Sequence, residues 1–122
     1  MMYAILCYNQ EEVTTAWTKE QDEAVMQRLG TVQDRLAAAG RLGPVARLLP
    51  TTTATTVRKN GDQPLVLDGP FAETKEQLLG FYIVDCADLD AAVQVAEDLS
   101  KANPGVGCYE LRPVGYMRAD PA

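Results

Sequence analysis

Residues 78–85, LLGFYIVD, limit the fold of this chain more than any other segment. Side chains alternate between the two faces along a strand, so Phe81 and Ile83 share one face with Asp85, while Tyr82, Val84 and Cys86 share the other. Neither face is polar enough to stand in water, so both need cover. The last strand signal, within VGCYELRPVGYM, alternates in the same way: Tyr109 and Leu111 point one way, and Cys108, Glu110 and Arg112 point the other. The opening run YAILCY, residues 3–8, is also apolar on both faces.

Only two segments carry helical periodicity. TKEQ, residues 18–21, is a capping-box pattern, with Thr18 as the cap and Gln21 reaching back. Val25, Leu29, Val32 and Leu36 follow at helical spacing, and Gly40 closes the helix. The second helix is capped by Asp88, carries Ala92, Val95, Ala96 and Leu99 on its inner stripe, and stops at Pro104 and Gly105. Between the helices, residues 43–50 (GPVARLLP) read as a connector. Residues 51–59 (TTTATTVRK) read as a β-branched strand, Asn60-Gly61 as a hairpin turn and residues 64–68 (PLVLD) as the return strand. The order is βαββαβ with an extra hairpin strand, a ferredoxin-like α+β arrangement on an antiparallel sheet. Two helices cover one face of such a sheet. The apolar residues on the other face predict a homodimer that pairs sheet against sheet.

Length and charge narrow the function. The 122 residues suit one domain, spanning residues 1–122, and the 47% hydrophobic content supplies a core. The net charge of −6, with dispersed lysines and arginines, argues against nucleic acid and anionic membrane surfaces as partners. No apolar run approaches the roughly 20 residues that span a bilayer, and the N-terminus lacks the basic lead of a signal peptide, so the expected location is cytoplasmic. The chain has no histidine, which removes imidazole-based zinc and haem sites and histidine-dependent triads. No metal or cofactor is expected. Cys7, Cys86 and Cys108 are dispersed. A thiol function is the third-ranked reading and would rest on Cys108, four residues from Arg112, with a depressed pKa.

The candidate site centres on DGPFAETKEQ, residues 68–77. As structure, Asp68-Gly69-Pro70 is a turn: the Asp68 side chain caps it by accepting a nearby backbone N–H, Gly69 takes positive φ, and Pro70 fixes its own φ. Phe71 would plug that turn onto the core, and Thr74–Gln77 would form one capped helical turn. As chemistry, the same loop leaning over the open sheet face makes a cleft. Asp68 or Glu73 is then the candidate general base, with Asp68 the first choice, once burial raises its pKa. Lys75 and Arg112 would hold a carboxylate or phosphate, with Glu73 beside them and Tyr8, Phe71 and Tyr82 lining the pocket.

The stretch DGPFAETKEQLLGFYIVD resembles the signature of the DGPF branch of the YCII-related protein family. ATTVR (residues 54–58), ELRPV (residues 110–114) and the opening MMYAILCY match that family's pattern in order and distance. The resemblance implies a ferredoxin-like fold and a dimeric α/β barrel. Some relatives occur beside, or fused to, extracytoplasmic-function sigma factors. A histidine–aspartate pair has been suggested for the wider group, and of such a pair this chain could keep only the aspartate, at Asp68. Two functions follow as expectations. One is a small dimeric protein binding a small molecule, an anion being the class Lys75 and Arg112 suit, in a cleft beside the Asp68 loop, with metal-free acid–base catalysis as an extension. The other is a non-catalytic regulatory or interaction module linked to sigma-factor-dependent transcription.

Overall fold

A computed structural model describes residues 1–118. A four-stranded antiparallel sheet runs in the order β2-β5-β1-β6, from β1 (Met2–Asn9), β2 (Leu42–Arg47), β5 (Gln77–Asp85) and β6 (Gly107–Pro113). Two long helices, α2 (Lys19–Ala38) and α3 (Leu89–Ala102), supply the crossovers on one face. A short helix, α1 (Glu11–Thr14), follows β1. The hairpin strands β3 (Thr55–Arg58) and β4 (Leu65–Asp68) form a separate two-stranded sheet. The fold is therefore α+β and ferredoxin-like, as the strand and helix order predicted.

Alternation decides what is buried. Tyr3, Ile5 and Cys7 of β1, with Tyr82 and Val84 of β5 and Cys86 just beyond it, face the helices and are buried. They meet Val25, Leu29, Val32 and Leu36 of α2 and Ala92, Val95 and Leu99 of α3. The capping box at Thr18 forms as predicted: the Gln21 amide donates to the Thr18 hydroxyl at 3.1 Å, and the Thr18 amide donates to Gln21 Oε1 at 2.9 Å. Asp88 caps α3 by accepting from the Ala91 amide at 2.8 Å.

Three local expectations fail. Residues 42–47 are not a connector but the edge strand β2. Gly43 and Pro44 disguise it because they sit where the register skips between Leu42↔Val84 and Val45↔Tyr82. An edge bulge tolerates a proline that lacks a ladder donor. Gly43 also passes so close to β5 that an added Cβ would stand 3.0 Å from the Ile83 carbonyl oxygen. The second failure follows from the first. With β2 filling the edge, neither hairpin strand enters the main sheet, and both fold on each other. Thirdly, Thr74–Gln77 makes no helical turn. The Thr74 hydroxyl donates to the Glu76 carbonyl at 2.6 Å and the Gln77 side chain donates to the Thr74 carbonyl, which closes a tight bend instead.

The packing sets a clear ranking of stability effects. Leu99 is fully buried between α3 and the sheet, so Leu99→Ala should cost roughly 2–5 kcal/mol in urea unfolding. Thr18→Ala, which loses the cap alone, should cost about 1 kcal/mol.

Candidate functional site

The sheet face away from the helices carries Ala4, Leu6, Phe81 and Ile83, all half-buried in the single chain. Register places them together: Ala4 opposite Ile83 and Leu6 opposite Phe81. On the other side of β1, Arg112 lies opposite Ala4, Glu110 opposite Leu6, and Cys108 opposite Tyr8. The face is thus an apolar centre with a polar margin along β6.

That margin is wired. The Tyr8 hydroxyl donates to Glu110 Oε1 at 3.2 Å, a diagonal cross-strand pair. Burial, then the charge and hydrogen bond of Glu110, push the Tyr8 phenol up, and Arg112 pulls it back. Cys108 stands 3.8 Å from Glu76 Oε1, so the end of the 68–77 loop reaches this corner. Among the described residues, Arg112 forms no ion pair with a carboxylate. Its charge stands free on a largely apolar face.

The other predicted site residues fall elsewhere. Asp68 ends β4, exposed, opposite Thr55, and none of the described groups donates to its carboxylate. The turn is held from β3 instead: the Gly69 amide donates to the Ala54 carbonyl at 2.8 Å, and the Thr56 hydroxyl donates to the Gly69 carbonyl at 2.8 Å. Gly69 takes the positive φ expected of it, +95°. Phe71 does not plug the core; it is 74% exposed, and its carbonyl accepts from Arg58 at 3.2 Å. Glu73 and Lys75 are exposed on the loop. Tyr82 is buried on the helix face, across the sheet from Tyr8. The structure therefore brings together Tyr8, Arg112 and the loop's end, and does not bring Asp68 or Tyr82 to them.

Two groupings escaped the sequence. Glu11 anchors the hairpin's root, its carboxylate accepting from the Thr51 amide and hydroxyl, each at 2.7 Å, while its own amide donates to Gln77 Oε1 at 2.9 Å. Periodicity carries no mark of such a tie. The second is a cavity of about 90 Å³ beneath the helix face, lined by Trp17, Val25, Leu29, Val45 and Tyr82, with Asn103 at one wall. It was hidden because one of its walls, β2, reads as a loop.

The thiol reading is overturned in its essential requirement. Cys108 is exposed, but burial, the Glu76 carboxylate and the Glu110 charge all raise its pKa. A nucleophilic thiol needs the opposite.

The order of strands, the two helices on one face and the bare apolar face opposite define a ferredoxin-like α+β protein. The family model of the YCII-related domain matches residues 1–118, and the chain belongs to that family. It is 61% identical over 118 residues to "Uncharacterized protein R00369" of Rhizobium meliloti (strain 1021), covering 97% of this chain and 95% of that protein. Among the described residues, no helix is long and apolar enough to cross a membrane.

Two outcomes follow from the titrating groups. Cys108 should react with a thiol reagent well before the buried Cys7 and Cys86 in the native state, yet no faster than a free cysteine at neutral pH. Burial raises the phenols of Tyr82 and Tyr109 above their ordinary value of 10.0. The folded state therefore keeps protons the unfolded state has lost, so the tyrosine contribution to stability is constant below the ordinary phenol value and is lost as pH rises through it, with the raised thiols of Cys7 and Cys108 starting the alkaline fall from their ordinary 9.0. Urea unfolding as a function of pH checks this, with a shallower fall expected in Tyr109→Phe.

Proposed function

We propose that the protein is a homodimer joined sheet face to sheet face, binding a small anionic metabolite in a cleft bordered by Arg112, Tyr8 and the loop of residues 68–77. The observation that carries this reading is Arg112: a guanidinium without a carboxylate partner among the described residues, on the same sheet face as Tyr8 and close enough for its charge to act on that phenol, on a face whose centre is apolar. A planar fork of donors in a site that a partner sheet would dry is suited to a carboxylate or phosphate. Ala4, Leu6, Phe81 and Ile83 supply the surface whose burial would drive pairing. Lys75, Glu73 and Phe71 are exposed on the adjoining loop, free to close over an occupant. Metal-free acid–base chemistry extends the reading, with Asp68 as the base. It requires that ligand or partner cover Asp68, which is exposed in the single chain.

A second reading has its own support. Val57, Val66 and Phe71 are 63%, 70% and 74% exposed on or beside a two-stranded sheet that joins no larger one. Isolated hairpins of this kind are marginal in water, so the arm is suited to resting on another protein. That favours a non-catalytic regulatory module, linked to sigma-factor-dependent transcription.

Sedimentation at micromolar concentration should give a dimer; a monomer would remove the face-to-face pairing. A thermal-shift screen of carboxylate and phosphate metabolites tests the site. A ligand held at 100 times its Kd stabilises the native state by about 2.7 kcal/mol. Such a shift should appear in the wild type and vanish in Arg112→Met. Asp68→Asn should keep the shift and lose turnover if Asp68 is the base. No shift across the screen, with a dimer present, would favour the interaction module.

A further inference from the structure

Asp68 and Arg112 carry opposite charges, both are exposed, and among the described residues neither forms an ion pair. The fold keeps them apart. Glu11, just past the end of β1 at Asn9, holds Thr51 through its carboxylate, and β3 opens soon after at Thr55. Thr55 is opposite Asp68, so Asp68 stands at the root of the hairpin arm, at the Asn9 end of the main sheet. Arg112 lies opposite Ala4, toward the other end. From Asn9 to Ala4 the strand runs about 17 Å.

The arm has two unlike faces. Val57 is opposite Val66 and Thr55 opposite Asp68, so these four share one face; Thr56, Arg58, Leu65 and Leu67 share the other. Val57 and Val66 are 63% and 70% exposed, against 48% and 45% for Leu65 and Leu67. The barer face is therefore the one that carries Asp68, two valines beside an anion.

The open face of the main sheet is its counterpart. Arg112, Ala4 and Ile83 lie in one row across β6, β1 and β5, a cation beside an apolar patch. The spacings agree. Asp68 is two residues from Val66, about 7 Å, while Arg112 is one strand from Ala4 and two from Ile83, about 5 and 10 Å. The reach of the arginine side chain covers the difference. A two-fold axis between facing sheets, perpendicular to the strands, lays the Asn9 end of one copy over the Ala4 end of the other, and does so twice.

We propose that the arm docks on a second copy of this chain, so that the cleft at Arg112 is built by both. The partner's Val57 and the partner's Val66 lie on Ala4 and Ile83, and the partner's Asp68 faces Arg112. This docking rests on the face-to-face homodimer proposed above and names the segment of the partner that closes its site. It also gives Asp68 the cover that a base requires.

Sedimentation equilibrium of charge-reversed chains tests the docking. Both side chains are exposed in the single chain, so reversing either leaves the core intact. Asp68→Arg and Arg112→Asp, each alone, set like charges together at both contacts and should raise the dimer Kd about tenfold. Mixed in equal amounts, the two variants should pair with each other as tightly as the wild type, because each contact then joins opposite charges. A contact within one chain would not be restored by mixing. Val66→Asp should also weaken the dimer, and Leu65→Asp, on the other arm face, should leave it unchanged. Single charge variants that pair like the wild type, a mixture no tighter than its components, or weakening by Leu65→Asp but not by Val66→Asp would each overturn the docking and leave the face-to-face dimer standing. A monomeric wild type would overturn both.

Discussion

Two helices cannot cover both faces of a four-stranded sheet, and most of this molecule follows from that mismatch. The central pair, β1 and β5, alternates strictly. Ile5 and Val84, both fully buried, lock the sheet to α2 and α3. The residues between them, Leu6, Phe81 and Ile83, are pushed to the other side by the same alternation. A one-residue slip would exchange the two sets, so the register that builds the core also creates the uncovered face. The polar margin of Tyr8, Cys108, Glu110 and Arg112 rides on that register. Its members come from adjacent strands and meet only because Leu6 is opposite Glu110 and Tyr8 opposite Cys108.

Periodicity made the sandwich legible. The helices, their caps at Thr18 and Asp88, and the faces of β5 and β6 are local patterns, and each formed where the residues implied. The edge strand did not announce itself. Gly43 and Pro44 are poor strand residues, and they are tolerated in β2 because an edge needs pairing on one side only and a bulge absorbs the extra residue. The hairpin was legible as a hairpin but not in its place. Local sequence says that two strands pair; it does not say which sheet they join. Once β2 occupied the position beside β5, the hairpin had to stand apart.

The candidate site was legible to a corresponding degree. Tyr8 and Tyr82, expected to line one pocket, lie on opposite faces, because alternation within each strand does not say which faces of two strands coincide; Arg112 does share a face with Cys108 and Glu110, as the alternation of its strand implied. Asp68 was harder. Its neighbours in sequence mark a turn, but the turn's hydrogen bonds come from Gly69 and Thr56, so the aspartate is spared a capping duty. The Asp22–Arg47 pair could not be read at all, because it joins a helix to a strand that the sequence disguises.

The absence of histidine divides the chemistry between the two faces. Without imidazole, proton transfer near neutral pH needs a carboxylate raised by burial or a thiol lowered by cations. The polar margin of the open face offers neither in the single chain: Cys108 is raised, and Tyr8 is raised and already bound to Glu110. What that face does offer is a fixed positive charge at Arg112. The helix face is the complement, with its charges paired and its remaining polar groups neutral. Cys7 and Tyr8 are consecutive in β1 and belong one to each face. The register with β5 shifts between those two residues, leaving Leu79 without a partner in β1. Leu79 instead accepts the Leu48 amide at 2.8 Å and lines the cavity. A single irregularity in the ladder thus sits where the two faces adjoin. A change of spacing there would move Tyr8 on one side and the cavity wall on the other.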